Sequence, residues 1–304
     1  MRYVEAGGER ISVIGLGTWQ FGSGEWGYGG EYAERTAGEI VNQALDLGIN
    51  LIDTAEIYGL GRSERIVGRA IADRREQAFL ASKIFPVLPV PFVIRRRAQG
   101  SARRLQVDQI DLYQLHFPNP LVPASAQLGG LRRLLGQGLI RHAGVSNYSL
   151  AAWQRADPAL GAPVLSNQVS YSLLQQQPRA ELVPFAQREG RVVIAYSPLS
   201  QGALSGRYGP ERRPSGRIRR LNPLFRRPQR LAVLGAELRA VGERYGATAP
   251  QVALAWLVNQ PQVVAIPGAS SVAQLEENAA AGDLRLDTED IVNLDAAAAR
   301  FHSA

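Results

Sequence analysis

Short apolar runs alternate with amphipathic stretches along almost the whole chain. Two brief β-like runs, 2–5 and 10–13, flank Gly7-Gly8 and predict a hairpin. Beyond it, apolar runs bounded by turn residues predict eight strands, and stretches with apolar residues at helical spacing predict helices between them. The predicted strands are 14–18, 51–53, 79–83, 110–116, 140–145, 164–168, 192–196 and 263–266.

The predicted helices follow these strands one by one. The first ends near Gly48, and the second covers 64–72 and is opened by Ser63 and Glu64. The others cover 95–105, 128–135, 150–155, 179–188, 231–241 and 272–280. Two extra helices are predicted at 250–258 and 290–300. Strands alternating with helices imply parallel pairing and right-handed crossovers. Eight such units predict an α/β fold: one domain, residues 1–304, forming a closed (β/α)8 TIM barrel with the hairpin at its floor. An open doubly wound sheet is the alternative, although no Gly-x-Gly-x-x-Gly follows the first strand.

Composition limits the cellular setting and the available chemistry. With 45% hydrophobic residues, the 304-residue chain can bury a large core. It has no apolar run of the roughly 18 residues that a membrane span requires, and its start lacks the apolar core of a signal peptide. Cysteine is absent, which excludes disulfides and thiolate chemistry. We therefore expect a cytoplasmic protein without a membrane segment.

The net charge of +7 is concentrated in one segment. Residues 207–230 contain nine arginines and one glutamate, a local charge of +8, so the remainder carries about 7 − 8 = −1. Four prolines divide the segment, which predicts a solvated, flexible loop rather than a surface that binds nucleic acid. Binding of a phosphorylated ligand is the alternative role for this loop.

Polar side chains stand where the predicted strands end. Asp53 ends the second strand and is followed by Tyr58, while Lys83 ends the third strand and His116 the fourth. Carboxyl ends of barrel strands converge on one rim, the mouth of the barrel, where chemistry is placed. Each residue alone has an ordinary explanation, such as a rim aromatic, a helix cap or a core histidine.

Lys83 is distinctive because it is the one lysine among the 34 lysine and arginine residues of the chain, and all the others are arginine. Either an ammonium is needed at that position or the composition has drifted and spared one lysine. Together, the carboxylate, phenol, ammonium and imidazole suit proton donation to a carbonyl oxygen as it becomes an alkoxide. A nearby ammonium stabilises a phenolate and lowers the phenol pKa, a carboxylate holds the ammonium, and an imidazole donates to the oxyanion. A metal site is not expected, since the other histidines are His142, inside a strand, and His302, near the end.

Several motifs resemble those of one family, the aldo-keto reductases, nearly end to end. They are Gly15-Leu-Gly-Thr-Trp19, Asn50-Leu-Ile-Asp-Thr-Ala-Glu-Ile-Tyr58, Ala81-Ser-Lys83, Asp111-Leu-Tyr-Gln-Leu-His116, Gly144-Val-Ser-Asn147, Asn167-Gln168, Ala195-Tyr-Ser-Pro-Leu199 and Glu277-Asn278. Asp53, Tyr58, Lys83 and His116 match the family's catalytic tetrad. The resemblance implies NADPH, with NADH possible, bound across the mouth of the barrel.

The resemblance also implies which residues bind this cofactor. Ser146, Asn147 and Gln168 match the positions that hold its carboxamide, and Tyr196 matches the ring beneath the nicotinamide. The segment from Ser197 to Arg207 matches the one that crosses the pyrophosphate, and its backbone N–H groups and cation suit an anion. The full set implied is Gly17, Thr18, Trp19, Asp53, Ser146, Asn147, Gln168, Tyr196, Ser197, Pro198, Leu199, Gln201, Gly202, Ser205, Gly206, Arg207, Gly268, Ser270, Gln274, Glu277 and Asn278.

One departure concerns the adenosine 2′-phosphate. The family often places a lysine and an arginine where this chain has Gly268 and Gln274. The run Pro267-Gly-Ala-Ser-Ser271 resembles the bacterial and potassium-channel-β-like branch, and Ser271 with Gln274 also predicts a capping box. The free N–H groups at Ser270 and Ser271 remain to attract an anion. We therefore expect NADPH to be preferred over NADH, but weakly.

The most direct interpretation is a metal-free NADP-dependent reductase of small-molecule aldehydes or ketones. Its substrate pocket is predicted to contain Trp19, Trp26, Tyr58, Phe85 and Phe117, although these aromatics could equally pack over the rim. One alternative is a nucleotide-sensing subunit of a membrane complex, with little turnover. The other is a barrel hydrolase using Asp53, Glu56 and His116. The sequence predicts no particular oligomeric state.

Overall fold

The structure is a computed structural model that describes residues 1–22, 31–214 and 217–303. The strands are β1 (Tyr3–Ala6), β2 (Glu9–Ser12), β3 (Leu16–Gly17), β4 (Leu51–Asp53), β5 (Phe79–Ile84), β6 (Ile110–Leu115), β7 (Ile140–Ser146), β8 (Ser166–Ser170), β9 (Val192–Tyr196) and β10 (Val263–Ala265).

The helices are α1 (Glu31–Asp46), α2 (Arg62–Ala70), α3 (Pro91–Leu105), α4 (Ala124–Gly136), α5 (Leu150–Leu160), α6 (Gln177–Arg188), α7 (Arg217–Leu221), α8 (Pro228–Tyr245), α9 (Ala249–Val258), α10 (Val272–Ala280) and α11 (Thr288–His302). Short 3-10 turns occupy Tyr58–Gly61, Arg75–Gln77, Ser200–Ser205 and Pro223–Arg226. In the part of the chain that is described, no helix is long and apolar enough to cross a membrane.

Strands β3 to β10 pair in sequence order as one parallel sheet of eight strands. Parallel bridges from Ile14 to Ala265 and from Gly17 to Gly268 join its first and last strands. The Gly15 N–H donates to the Ala265 carbonyl oxygen at 2.8 Å, which adds a hydrogen bond to this seam. The sheet therefore closes on itself, and the predicted (β/α)8 barrel is confirmed.

Two apolar clusters divide the core. One packs the helices against the outer face of the strands, and the other fills the barrel interior. The interior cluster includes Ala6 and Ile11 of the β1–β2 hairpin together with residues of the barrel strands, such as Leu112 and Val264. The hairpin therefore plugs the floor of the barrel, as predicted, because its apolar face completes the interior packing.

The predicted helices exist, and their ends differ by a few residues. Helix α5 continues through Pro158 to Leu160, where the left-handed Gly161 caps it, whereas the sequence predicts an end at Arg155. Helix α6 begins at Gln177 with Pro178 in its first turn, where proline costs no hydrogen bond. Helix α2 begins at Arg62 after Gly61, so Ser63 and Glu64 lie inside it and are buried rather than capping it.

The arginine-rich segment 207–230 is more ordered than predicted. It contains α7, the turn Pro223–Arg226 and the start of α8. Arg227 Nη1 and Arg230 Nη1 donate to the Phe301 carbonyl oxygen at 3.2 and 3.0 Å, near the end of α11. Cations at a helix C-terminus satisfy its last carbonyl groups, so the prediction of a wholly flexible loop is wrong for this part.

Gly17→Ala tests the closure of the barrel. A Cβ atom at Gly17 would lie 2.7 Å from the Ile266 carbonyl oxygen, a backbone atom that cannot move aside easily. We expect the free energy of unfolding in urea to fall by about 1–3 kcal/mol. The control is Gly38→Ala on α1, where a Cβ meets no atom within 4 Å. That variant should be unchanged or about 0.5–1 kcal/mol more stable, and equal losses in both would contradict the steric explanation.

Candidate active site

The candidate active site is built on adjacent strand ends at the mouth of the barrel. The register pairs Gly17 with Asp53, and Asp53 with Ala81. Lys83 lies two residues beyond Ala81 and pairs with Gln114, two residues before His116. Side chains two apart on a strand share a face. The short connection after β4 then turns back to place Tyr58 over this group.

Lys83 is fully buried and carries an ion pair with the nearly buried Asp53. Its Nζ atom donates to Asp53 Oδ1 at 2.6 Å and to the Thr54 carbonyl oxygen at 2.9 Å. Burial acts to lower the pKa of Lys83, but Asp53 and Tyr58 outweigh it, and the pKa lies above its usual value. The ammonium is therefore charged at neutral pH. This contact pattern favours a specific need for lysine over drift in composition.

Tyr58 completes the group. Lys83 Nζ donates to Tyr58 Oη at 3.4 Å, and it lies 5.1 Å from the centre of the phenol ring. Burial raises the pKa of Tyr58 above its usual value, while the ammonium acts in the opposite direction. The sign of the lysine effect agrees with the sequence-based expectation. The expected net lowering is wrong, because desolvation of the phenolate is the larger effect.

His116 is held as a neutral imidazole among aromatic rings. Phe117 stacks on it at 4.8 Å, and Tyr58 meets it edge-on at 5.9 Å. Burial, assisted by the positive charge of Lys83, lowers the pKa of His116 to about 3. Its Nδ1 atom is buried and has no hydrogen-bond partner among the described residues. A neutral imidazole in this position carries one N–H group, so it can donate one hydrogen bond without giving up that proton.

Helix α2 supports the site through two buried side chains whose role the sequence did not predict. The Ser63 hydroxyl lies 2.7 Å from Thr18 Oγ1 and 2.9 Å from Thr54 Oγ1. Glu64 Oε1 accepts from the Ser82 hydroxyl at 2.6 Å, next to Lys83 in the chain. A Ser-Glu pair at a helix start is typical of capping, so nothing in the sequence separates that role from this one.

The amide side chains predicted to hold a carboxamide lie side by side. Asn147 has a left-handed backbone, and its Oδ1 accepts from the Tyr196 hydroxyl at 3.0 Å. Its Nδ2 donates to Ser146 Oγ at 3.1 Å. Gln168 Nε2 donates to Asp53 Oδ2 at 2.8 Å, so this amide also orients the carboxylate. Amide groups, a hydroxyl and a phenol ring in one row have the donors, acceptors and aromatic surface that a nicotinamide requires.

The motif at the first barrel strand has a structural role in addition to any cofactor contact. Gly17 lies so close to Ile266 that only glycine fits without displacement. Thr18 is fully buried, and its hydroxyl donates to the Asp53 carbonyl oxygen at 2.9 Å. These two residues therefore position Asp53, whereas Trp19 is 46% exposed at the mouth.

The segment predicted to cross a pyrophosphate turns sharply after β9. Positive φ angles occur at Ser197, Ser200, Gln201, Gly202 and Gly206. Backbone of this kind can point successive N–H groups outward and form an anion-binding concavity. The Gln201 side chain accepts from Asn222 Nδ2 at 3.1 Å, and Arg207 is exposed beyond it. Pro198, Leu199 and Ser205 lie in the same turn, so the chain here fits the predicted group.

The residues predicted to lie near the adenosine 2′-phosphate are uncharged, and their polar groups already form hydrogen bonds within the protein. A Cβ atom at Gly268 would lie 2.6 Å from Gln20 Oε1, and Gln20 Nε2 donates to the Ala269 carbonyl oxygen at 3.0 Å. Gln274 Oε1 accepts from the Ser270 N–H at 2.8 Å. Ser271 caps α10, since its hydroxyl accepts from the Gln274 N–H at 3.2 Å. In a full capping box the Gln274 side chain would accept from the Ser271 N–H, but here it accepts from the Ser270 N–H instead. The predicted capping box is therefore half right, and the prediction that the Ser270 N–H is free is wrong.

Two further residues predicted to bind the cofactor, Glu277 and Asn278, have partners within the protein. Glu277 Oε1 accepts from Thr248 Oγ1 at 2.8 Å. Asn278 is buried, and its Nδ2 donates to the Gly268 carbonyl oxygen at 3.3 Å. Asn278 thus stabilises the turn at Gly268.

Aromatic rings line the rim beside the tetrad. Phe85 and Phe117 meet edge-on at 6.1 Å, and Phe117 is 41% exposed. Both rings contact His116, so they pack over the rim, while Phe117 also leaves part of its ring exposed at the mouth. Trp26, the remaining member of the predicted pocket, lies outside the described residues.

Glu56 is committed to a structural ion pair. Arg97 Nη2 lies 2.5 Å from Glu56 Oε1, and the Phe85 N–H donates to the same oxygen at 2.6 Å. With Asp53 engaged by Lys83 and Gln168, neither carboxylate is available as a general base, which argues against the hydrolase alternative. In the part of the chain that is described, no cluster of three histidine or carboxylate side chains suits a metal ion.

Comparison with known proteins places the chain in a family. The model of the Aldo/keto reductase family matches residues 13–299, and the chain belongs to this family. It is therefore an oxidoreductase of that family with the (β/α)8 fold. The potassium-channel-β-like branch remains a resemblance only.

Three relatives are informative. An uncharacterized oxidoreductase of Mycobacterium tuberculosis strain H37Rv is 56% identical over 304 residues, covering 99% of this chain and 94% of that protein. A methylglyoxal reductase of Escherichia coli K12 is 32% identical over 295 residues, covering 96% and 93%. The crystal structure of an aldo-keto reductase from Klebsiella pneumoniae in complex with NADPH superposes with a TM-score of 0.80 at 30% identity, covering 97% and 94%.

The depressed pKa of His116 predicts a pH-dependent loss of stability. Between about pH 6.5 and the folded value of about 3, the unfolded chain binds a proton that the native imidazole excludes. Stability therefore falls as the pH falls through this window. From about pH 7 to about pH 5, wild type should lose roughly 2 kcal/mol more than His116→Gln, measured by urea unfolding. Equal losses in the two proteins, or an NMR titration of the His116 ring near its usual pKa, would contradict this prediction.

Proposed function

We propose that the protein reduces small aldehydes or ketones to alcohols with a reduced nicotinamide nucleotide, using Tyr58 as the general acid. The observation that carries the proposal is the buried chain from Asp53 through Lys83 to Tyr58, with contacts of 2.6 and 3.4 Å. A buried, charged ammonium in contact with a phenol has few structural uses and one clear chemical use, which is to stabilise a phenolate.

The cofactor would lie along Asn147, Gln168, Tyr196 and the turn from Ser197 to Arg207. When bound, it supplies a hydride to the carbonyl carbon. NADPH in the Klebsiella pneumoniae relative supports this choice, and the row of amide groups next to an outward-facing turn fits such a group.

Tyr58 supplies the proton. Its raised pKa keeps the phenol protonated at neutral pH, so the acid is present when a substrate arrives. As negative charge develops on the carbonyl oxygen, the phenol proton moves to it and the phenolate is left facing Lys83. The ammonium stabilises that phenolate, and Asp53, itself held by Gln168, keeps the ammonium in place. Solvent then restores the phenol proton.

His116 directs the carbonyl oxygen. A neutral imidazole with a pKa of about 3 does not compete with Tyr58 as an acid, so it donates a hydrogen bond and retains its proton. Phe117 stacks on this ring, and Phe85 lies edge-on to both rings, which fixes the direction of the donor. The exposed aromatic rim excludes water from one side of the substrate and favours an apolar group beside the carbonyl.

Tyr58→Phe isolates the proton donor. Carbonyl reduction, followed at the nicotinamide absorbance across a panel of aldehydes and ketones, should fall by about 10²–10⁴-fold. Nucleotide affinity by fluorescence quenching should stay within about twofold, because the ring remains. Tyr3→Phe is the control, since it removes a phenol that donates to Gly48 at the barrel floor. Turnover above about a tenth of wild type in Tyr58→Phe would exclude Tyr58 as the acid.

The lack of a cation at Gly268 and Gln274, the positions predicted to lie near the 2′-phosphate, predicts a weak preference for NADPH. We expect NADPH to bind roughly tenfold to a hundredfold more tightly than NADH, towards the low end because Gln274 occupies the Ser270 N–H. Gln274→Arg should tighten NADPH about tenfold and leave NADH nearly unchanged, since a guanidinium meets only the 2′-phosphate. Dissociation constants at low and high salt test this prediction. Equal affinities of wild type for the two nucleotides would contradict it.

A further inference from the structure

Four arginines converge on a cavity on the outside of the barrel, between α2 and α3. The cavity has a volume of about 350 Å³ and is lined by Arg65 and Arg69 of α2, and by Arg103 and Arg104 of α3. Its other lining residues are Gly100 and Gln106. None of these residues belongs to the candidate active site.

Small residues bring the two helices close enough to form this cavity. A Cβ atom at Gly68 would lie 2.5 Å from the Leu105 carbonyl oxygen, so α2 and α3 touch through backbone there. A Cβ atom at Gly100 would lie 3.2 Å from Arg104 Nη1. Because residues four apart share a helix face, Arg65 and Arg69 point the same way, towards the C-terminal turn of α3.

Acidic side chains neutralise only part of this cluster. Arg104 Nε pairs with the buried Glu64 at 2.6 Å, which commits Arg104 to the support of Ser82. Arg69 Nη2 pairs with Glu34 at 3.0 Å, and Glu34 is shared with Arg62. Among the side chains that the structure describes, no carboxylate pairs with Arg65 or Arg103, and both are exposed.

An arrangement of this kind stores like-charge repulsion that an anion relieves. Guanidinium groups present a planar fork of donors that matches phosphoryl oxygens in pairs. The four arginines surround a concave volume instead of forming an extended stripe, so the shape fits a compact anion and not the backbone of a nucleic acid.

We propose that the α2–α3 cavity binds a small phosphorylated ligand, with Arg65 and Arg103 as its principal contacts. Arg69 adds charge from the same wall, and Arg104 stays with Glu64. The site is separate from the barrel mouth, and its existence does not depend on carbonyl reduction by Tyr58.

Inorganic pyrophosphate is the probe, and isothermal titration calorimetry at constant ionic strength is the measurement. Arg65→Gln/Arg103→Gln should weaken binding at least about tenfold. The matched control is Arg132→Gln/Arg133→Gln, which removes the same charge from exposed positions on α4. The control should change affinity by no more than about twofold. Both double variants should retain carbonyl reduction, since neither touches the tetrad.

A second variant and a second condition make the result specific. Arg65→Lys/Arg103→Lys keeps the charge but removes the fork, and it should lose a smaller part of the affinity than the glutamine variant. Repeating the titration with saturating NADP⁺ removes anion binding at the barrel mouth. The loss of pyrophosphate affinity in the glutamine variant should persist under this condition.

Several outcomes would overturn the proposal. These are the absence of pyrophosphate binding to wild type, equal losses in the glutamine and control variants, or unchanged binding in the glutamine variant. The last result would place the anion elsewhere, such as at the barrel mouth. The calorimetric test does not depend on the carbonyl reductase proposal. It compares pyrophosphate binding by wild type, the glutamine variant and the control without nucleotide, so it can be interpreted even if the protein reduces no carbonyl.

Discussion

The buried ion pair between Lys83 and Asp53 is the interaction on which the site depends. Removing two charges from water costs several kcal/mol for each ion unless the geometry and the remaining hydrogen bonds compensate. Here the ammonium has three acceptors, Asp53, Thr54 and Tyr58, and the carboxylate has Gln168 as a second donor. The pair therefore ties β4, β5 and β8 together at the mouth of the barrel, and it leaves the phenol of Tyr58 as the part of the network that can lose a proton.

Helix α2 keeps that pair in position from the outside of the sheet. Ser63 and Glu64 are both buried, and they hold Thr18, Thr54 and Ser82, which are neighbours of the ion pair in sequence or in space. Arg104 completes this support from α3 by neutralising Glu64. The chain of polar contacts thus runs from the outer helices to the Tyr58 phenol, and the arginine cavity lies at its outer end.

The residues predicted to lie near the adenosine 2′-phosphate contrast with those around Lys83. Charged groups are paired within 3 Å around Lys83, whereas Gln20, Gly268 and Gln274 place no cation where the family often has two. A Cβ atom at position 268 would meet the amide group of Gln20, so replacement of Gly268 by lysine would require this side chain to move and to give up its hydrogen bond to the Ala269 carbonyl oxygen.

Local sequence patterns predicted the alternation of strands and helices, because apolar periodicity and turn residues act over a few neighbouring residues. They also placed Asp53, Lys83 and His116 at one rim, since parallel barrel strands end together. The end of α5 and the start of α6 were less accessible, because α5 continues past Pro158 and α6 begins one residue before Pro178. The tertiary structure alone decided that Gln274 bonds to Ser270, that Glu64 supports Ser82, and that burial outweighs Lys83 at the Tyr58 phenol. These outcomes depend on distances between residues that are remote in sequence and on the desolvation of buried groups. A local sequence pattern gives neither quantity.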